Sequence, residues 1–220
     1  MLLLVDKPKG MTSHDVVDFV RKESGERRIG HGGTLDPNAT GLLIIGVGRE
    51  STRRLGMVAK GMKKRYVAQL VLGEERDSDD VEGKIINTNE DIIPSFNQIK
   101  AVITEFVGTI EQIPPSYSAV KIEGRKAYDL ARKGEKVEMK PRTVTIYSIE
   151  LTDYHYPRLV IKCEVSSGTY IRALARDIGR KLGCGAYLAE LRRTAIGSYR
   201  IENAIELSGL KEYNWRRKNK

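Results

Sequence analysis

Chemistry is most concentrated in one stretch of this sequence, Gly30-His31-Gly32-Gly33-Thr34-Leu35-Asp36-Pro37-Asn38-Ala39-Thr40-Gly41, which sets one acid among four glycines. Glycine lets backbone approach backbone or ligand closely, and Pro37 fixes φ immediately after the acid. Pro37 also biases Asp36 away from the α region. A carboxylate so constrained suits an Asx-type turn, or a preorganised nucleophile or base, and spacing alone leaves both open. Arg172 is the second candidate. On a helix beginning near Thr169 the apolar stripe centres on Ile171, Ala175 and Leu182. At about 100° per residue Arg172 falls at the edge of that stripe, with Arg176 and Arg180 progressively nearer solvent. An arginine at such an edge pairs with an acid, binds an anion, or snorkels.

Other chemistries find little support. Cys163 and Cys184 are the only cysteines, and His14, His31 and His155 are scattered, so no metal-ligand pattern forms. Asp77–Gly83 resembles a calcium loop only loosely, with Val81 and Glu82 where oxygen and glycine are wanted, and is expected to be a solvated acidic turn. Gly46-Val47-Gly48 follows a strand pattern without a third glycine, which leaves nucleotide binding weak.

The elements that must position these residues follow from hydrophobic period and caps. Leu2–Val5 is expected as a short buried strand. Thr12 to Asp15 has capping-box spacing ahead of a helix carrying Val16, Val17, Phe19 and Val20. The glycine-rich stretch is expected as a loop. Leu42–Val47 is expected as a buried strand and Ser51–Ala59 as a helix. Tyr66–Leu72 alternates, with Tyr66, Ala68, Leu70 and Leu72 on one face. Ser95 could cap a helix through Phe106, closed by Gly108. Thr143–Thr152 and Leu159–Val165 read as paired strands, Thr169–Leu182 as a helix, and Thr194–Tyr199 as a last strand. Between them, Ile113–Arg142 is basic and poor in apolar residues apart from a short helix at Ala127–Lys133, and is expected to be a binding excursion that is mobile when free. Strands and helices mix without regular βαβ alternation, which predicts an α+β fold with a mostly antiparallel mixed sheet flanked by helices.

In bulk, 220 residues with 30% charged and 40% hydrophobic content describe one globular domain, or one with an insertion. Lysine and arginine number 38 against 29 acids, a net charge of +9, which favours a polyanion such as nucleic acid as partner. No apolar run reaches the roughly 18 residues that cross a membrane, and MLLLVDKPKG is too short-runned for a signal peptide. A cytoplasmic location is the expectation. The tail from Asn214 to Lys220 is expected to fray.

Taken in order, Lys7-Pro8-Lys9-Gly10-Met11-Thr12-Ser13, Gly30 to Pro37, Lys64-Arg65-Tyr66, Pro114-Pro115-Ser116-Tyr117-Ser118-Ala119-Val120-Lys121, Ser167-Gly168-Thr169-Tyr170-Ile171-Arg172 and Leu191-Arg192-Arg193-Thr194 resemble the ordered motifs of the TruB family of pseudouridine synthases. The resemblance implies the pseudouridine synthase fold over a single catalytic domain, residues 1–220. It implies a thumb-like RNA-gripping insertion at 113–142; the small C-terminal PUA domain that many members carry is not expected here, a departure from the family pattern. It implies isomerisation of uridine 55 in the T-loop of the tRNA T-arm, with no metal or cofactor; a monomer is the default expectation. By the same resemblance Asp36 is the essential carboxylate, attacking the base or the sugar, or moving a ribose proton. Arg172 would pair with it, Tyr66 would stack on the flipped uracil, and His31 would fill the vacated space. Tyr170 and Leu191 would line the pocket. Lys7, Lys121, Arg125 and Lys126 would contact the RNA, with Arg132 and Lys133 near phosphates. Competing expectations are an RNA chaperone of the same fold and a guide-RNA-dependent synthase resembling dyskerin.

Overall fold

The computed structural model describes residues 1–59, 61–118, 120–122, 124–132, 135 and 138–215. In chain order the elements are β1 (Leu2–Lys7), α1 (Ser13–Ser24), β2 (Ile29–Gly32), β3 (Thr40–Val47), α2 (Arg49–Ala59), β4 (Lys64–Leu72), β5 (Glu74–Arg76), β6 (Ile85–Thr88), α3 (Phe96–Glu105), β7 (Gly108–Gln112), β8 (Lys121–Ile122), β9 (Arg125–Lys126), α4 (Ala127–Arg132), β10 (Arg142–His155), β11 (Arg158–Val165), α5 (Ile171–Leu182), β12 (Ala186–Ile196), β13 (Tyr199–Arg200) and β14 (Ile205–Glu206). The chain forms two compact units, Met1–Val67 with Leu191–Lys220, and Ala68–Glu190.

In the first unit β1 lies antiparallel to β3 and parallel to β14. On the edge of β3 opposite β1, β2 pairs antiparallel with residues 44–47 (His31 with Ile45), and β12 pairs parallel at Thr40 and Gly41. The run Leu42–Ile45 is apolar throughout because both its faces are covered. Leu43 and Ile45 pack with Val16, Val17 and Val20 of α1, while Leu42 and Ile44 pack with Leu55 of α2. Helix α1 starts where the capping box put it. Thr12 Oγ1 accepts the Asp15 N–H, and the Asp15 carboxylate accepts the Thr12 N–H.

The second unit orders its strands β4–β11–β10–β7, with β10 antiparallel to both β11 and β7. Lys64, Tyr66, Ala68, Leu70 and Leu72 of β4 are all buried, as the alternation required. Helix α5 buries Ile171, Leu174, Ala175 and Ile178. Two small hairpins, β5–β6 and β8–β9, complete the unit.

An α+β fold with a mostly antiparallel sheet flanked by helices is what forms. Four local expectations change. Gly30–Gly32, expected as the start of the loop, belong to strand β2, because their backbone finds ladder partners on β3. Glu74–Arg76, in the acid-rich stretch Gly73–Gly83 expected as a turn, is strand β5, paired with β6 beyond it. Gly108 opens β7 instead of closing α3, which ends at Glu105 with Phe106 as its cap. The last long strand begins at Ala186, eight residues before Thr194. Lys133 and residues 216–220 lie outside the described residues. Among the described residues no helix is long and apolar enough to cross a membrane.

Candidate active site

In the first unit the carboxylate of Asp36 is carried by the loop from Gly33 to Ala39, between β2 and β3. Every carbonyl from Gly33 to Pro37 accepts a hydrogen bond. Arg193 donates from Nη2 to Gly33 O (2.7 Å) and from Nη1 to Thr34 O (3.4 Å). Ser13 Oγ donates to Leu35 O (3.1 Å) and accepts the Leu35 N–H (2.9 Å). Asp36 O accepts the Ala39 N–H (3.1 Å). Pro37 O accepts the Gly10 N–H (2.9 Å) and Lys7 Nζ (3.1 Å). Leu35 is buried beside the acid, while Asp36 itself is only partly covered. A short loop held at five consecutive carbonyls aims its one carboxylate with little freedom left to lose on reaction.

Two buried cations build this frame. Arg193 sits on β12 beside Gly41, abreast of the loop, and its Nε also donates to Leu42 O (2.8 Å). Lys7 ends β1 with 0% exposure, and its ammonium gives its three protons to Pro8 O, Met11 O and Pro37 O. Burial pulls the Lys7 amine down to about 8 against the opposing pull of the Asp36 and Asp15 carboxylates, with the Arg193 charge adding to the decrease. The expectation of Lys7 as an RNA contact is therefore corrected. A sealed ammonium with all three N–H groups committed acts on the loop from beneath.

His31 follows the basic pair Arg27-Arg28 on β2. Burial, then the charges of His14 and Arg193, lower its pKa, so its imidazole is neutral at pH 7. Its Nδ1 is buried and has no hydrogen-bond partner among the described residues. Tyr66 is 7% exposed on β4. Leu191, on β12, is partly exposed and accepts Thr40 Oγ1 at 3.4 Å through its carbonyl.

In the second unit Arg172 lies in the first turn of α5 and is buried at 7% exposure. Its Nη1 reaches Asp80 Oδ2 (3.2 Å) and Ser78 O (3.3 Å), and its Nη2 donates to Tyr117 O (2.9 Å). One turn on, Arg176 donates to Asp79 Oδ2 (2.8 Å), Asp177 Oδ1 (2.9 Å) and Ile113 O (2.9 Å). Another turn on, Arg180 grips both oxygens of Glu75 (2.8–3.2 Å). Two expectations are corrected here. Arg176 is buried instead of facing solvent, and Ser78 and Asp79 of the acidic turn are buried too, because the arginines neutralise the acids they bring inside. Tyr170 is the N-cap residue of α5, and its N–H and carbonyl pair with the Gln112 side-chain amide (2.9 and 3.1 Å). Arg125 is exposed and paired with Glu135 at 3.1 Å. The side chains of Lys121, Lys126 and Arg132 lie outside the described residues.

The sequence assigned no role to the residues that hold these groups: Ser13 and Arg193 around the Asp36 loop, and Gln112, Asp79, Asp80 and Arg176 around α5. For Arg193 a signal existed. On a strand, adjacent Arg192 and Arg193 must face opposite ways, and the one facing inward must find acceptors. Arg192 is the outward one, paired with Asp6 (2.6 Å).

Comparison with known proteins bears on this arrangement. Residues 21–171 match the family model described as TruB family pseudouridylate synthase (N terminal domain), and residues 172–220 match the one described as tRNA pseudouridylate synthase B C-terminal domain. The tRNA pseudouridine synthase B of Protochlamydia amoebophila (strain UWE25) is 46% identical over 204 residues, 93% of this chain and 77% of that one. That of Aquifex aeolicus (strain VF5) is 47% identical over 208 residues, 93% of this chain and 71% of that one. Among solved structures, the chain is similar to one in a Cbf5-Nop10-Gar1 complex (TM-score 0.75, 33% identity, 96% of this chain and 54% of that one). It is also similar to one in an H/ACA RNP bound to a substrate RNA containing 2'-deoxyuridine (TM-score 0.71, 30% identity, 96% and 52%). It spans about half the length of those solved chains.

Proposed function

The chain belongs to the TruB family of pseudouridylate synthases, and from that premise we propose that it isomerises uridine 55 of the tRNA T-loop to pseudouridine, with Asp36 as the essential carboxylate. The observation that carries this reading is the loop from Gly33 to Pro37, whose five carbonyls are all engaged around the one acid. So much support is wasted on a turn that only connects two strands, and is what a preorganised catalytic group needs.

The reaction breaks the C1′–N1 glycosidic bond, turns the uracil, joins C1′ to C5, releases the C5 proton and protonates N1. Asp36 acts on the base or the sugar, or moves a ribose proton, and Arg172 pairs with it. A base stacked in the T-loop must first leave the stack, which costs a few kcal/mol. Stacking on the Tyr66 ring returns about 1–3 kcal/mol of that. His31, neutral and apolar-faced at working pH, occupies the gap without a charge to desolvate. Tyr170 and Leu191 line the pocket. Lys121, Arg125 and Lys126, on the thumb-like stretch 113–142, meet the phosphate backbone, in keeping with a net charge of +9. The proposal takes the enzyme to work in the cytoplasm, as a monomer, on tRNA alone.

The test uses tRNA tritiated at C5 of its uridines, incubated with wild type and with Asp36→Asn. Release by wild type alone, mapped to position 55, is the expected result. Turnover by Asp36→Asn would remove Asp36 from the chemistry. Tight tRNA binding by wild type with no release would favour a chaperone.

A further inference from the structure

Six residues of the second unit, Gln112 to Tyr117, form the root from which the stretch 113–142 leaves β7. Pro114 and Pro115 occupy its middle and are buried. Prolines have no N–H, so carbonyl oxygens are the main handles by which this root can be held. Beyond the β7–β10 ladder, which pairs Gln112 with Arg142, the structure holds it at three points, all from the first half of α5. The Gln112 amide pairs with the Tyr170 backbone, Arg176 Nη2 holds Ile113 O at 2.9 Å, and Arg172 Nη2 holds Tyr117 O at 2.9 Å.

Arg176, like Arg172, serves three acceptors. One guanidinium joins Ile113, Asp177 on its own helix, and Asp79 of the acidic turn. Asp79 is itself in an unusual state. It is buried, and at φ +61° it is the only non-glycine residue with positive φ among those described. Its backbone is fixed at both ends, N–H to Arg76 O (3.1 Å) and carbonyl to the Leu188 N–H (3.0 Å). A buried carboxylate on so constrained a backbone gives Arg176 an immobile anchor, and Arg176 passes that fixity to Ile113. On the third rung of the same helix Arg180, half-exposed and paired with Glu75, makes no hydrogen bond to the root among the described residues.

We propose that Arg176 is a positioning residue for RNA engagement: anchored on Asp79, it sets the direction in which the 113–142 stretch leaves the core, and so the enzyme's affinity for tRNA. This rests on the reading of the protein as a tRNA pseudouridine synthase. The residue touches no substrate. Its effect belongs in KM and in the dissociation constant, while the chemistry at Asp36 in the bound complex proceeds as before.

Tritium release under steady-state conditions, tRNA filter binding and thermal denaturation of Arg176→Gln, Arg176→Lys and Arg180→Gln test this. Arg176→Gln is expected to raise KM and Kd for tRNA about tenfold (~1.4 kcal/mol) with kcat within about twofold. Arg176→Lys keeps the charge beside Asp79 but cannot span three acceptors, and is expected to fall between the two. Arg180→Gln is expected to leave KM unchanged. Should Arg176→Gln not fold, Arg176→Lys carries the same comparison. An unchanged KM in a folded Arg176 variant, a loss confined to kcat, or an equal rise in Arg180→Gln overturns the proposal. Wild type that binds tRNA without turnover refutes the proposed function alone, since the Kd comparison still decides the role of Arg176.

Discussion

Arg193 donates to Gly33 O at 2.7 Å and to Leu42 O at 2.8 Å, so one side chain fastens the two ends of the loop that carries Asp36. It is 1% exposed, and its charge is spread over three carbonyl dipoles. Replacing it frees three carbonyls, Leu42 O in a buried bond and Gly33 O and Thr34 O in partly buried ones. Each carbonyl left unsatisfied there costs about 1–3 kcal/mol. Arg193→Met is expected to lower the melting temperature and to reduce kcat about tenfold or more with a smaller change in KM, because aim is lost before binding is. Calorimetry and steady-state tritium release measure the two effects. Unchanged kcat in a folded variant would show that the loop holds its shape without this clamp.

Ser13 is a smaller version of the same device. Its hydroxyl accepts the Leu35 N–H and donates to the Leu35 carbonyl, and the residue is buried. Ser13→Ala leaves both groups unpaired, and urea denaturation is expected to report a loss of about 1–3 kcal/mol. A midpoint equal to that of wild type would mean that the loop finds other partners.

Two glycines flank the loop, and they are not equivalent. At Gly41, φ is +100° and an added Cβ would lie 2.4 Å from the backbone oxygen of Arg193. At Gly33, φ is +76° but the nearest atom is the Arg193 guanidinium, at 3.5 Å. Gly41→Ala is therefore expected to destabilise the protein by several times more than Gly33→Ala, since backbone on a paired strand cannot step aside. Equal melting temperatures for the two variants would contradict this.

The acidic turn supplies a pH dependence. Burial raises the Asp79 carboxyl to about 6, against the opposing pull of Arg176, Arg172 and Arg180 and with a small push from Asp177. In the unfolded chain an aspartate titrates near its ordinary value of about 3.9. Between the two the folded state holds a proton that the unfolded state has released, so this group adds stability as pH falls through that window. The melting temperature of wild type relative to Asp79→Asn is expected to rise as pH drops from 7 toward 4.5. Parallel curves across that range would place the Asp79 carboxyl near its ordinary value.

Local pattern carried the elements well where burial is periodic. The alternation of Tyr66 to Leu72, the capping boxes at Thr12 and Ser95, and the stripe of α5 each reflect one face meeting one core. It failed where pairing is non-local. Nothing in Ile29–Gly32 or Ala186–Glu190 announces a strand, because their partners lie elsewhere in the chain. The same holds for the site. Asp36 stands out through its glycine and proline neighbours, whereas Lys7 and Arg193 look like ordinary surface cations until a buried row of carbonyls comes to meet them. Arg176 was misplaced for the opposite reason. Helical geometry assigned it to solvent, and only the acidic turn folding over α5 takes it inside.

The arginines of α5 repeat every four residues, and the acids facing them are all aspartate or glutamate. Charge by itself is thus a vernier with several near-coincidences: a slide of one turn would bring an arginine opposite much the same acids. Gly179 removes the ambiguity. A Cβ there would lie 2.2 Å from the Ala186 nitrogen, so the helix fits only where it has no side chain. A slide one way would put Ala175 at that contact, and a slide the other way would bring Gly183, which has already left the helix at φ +82°. The missing methyl of a glycine therefore acts as the index mark on the scale, and tells each arginine which acid is its own.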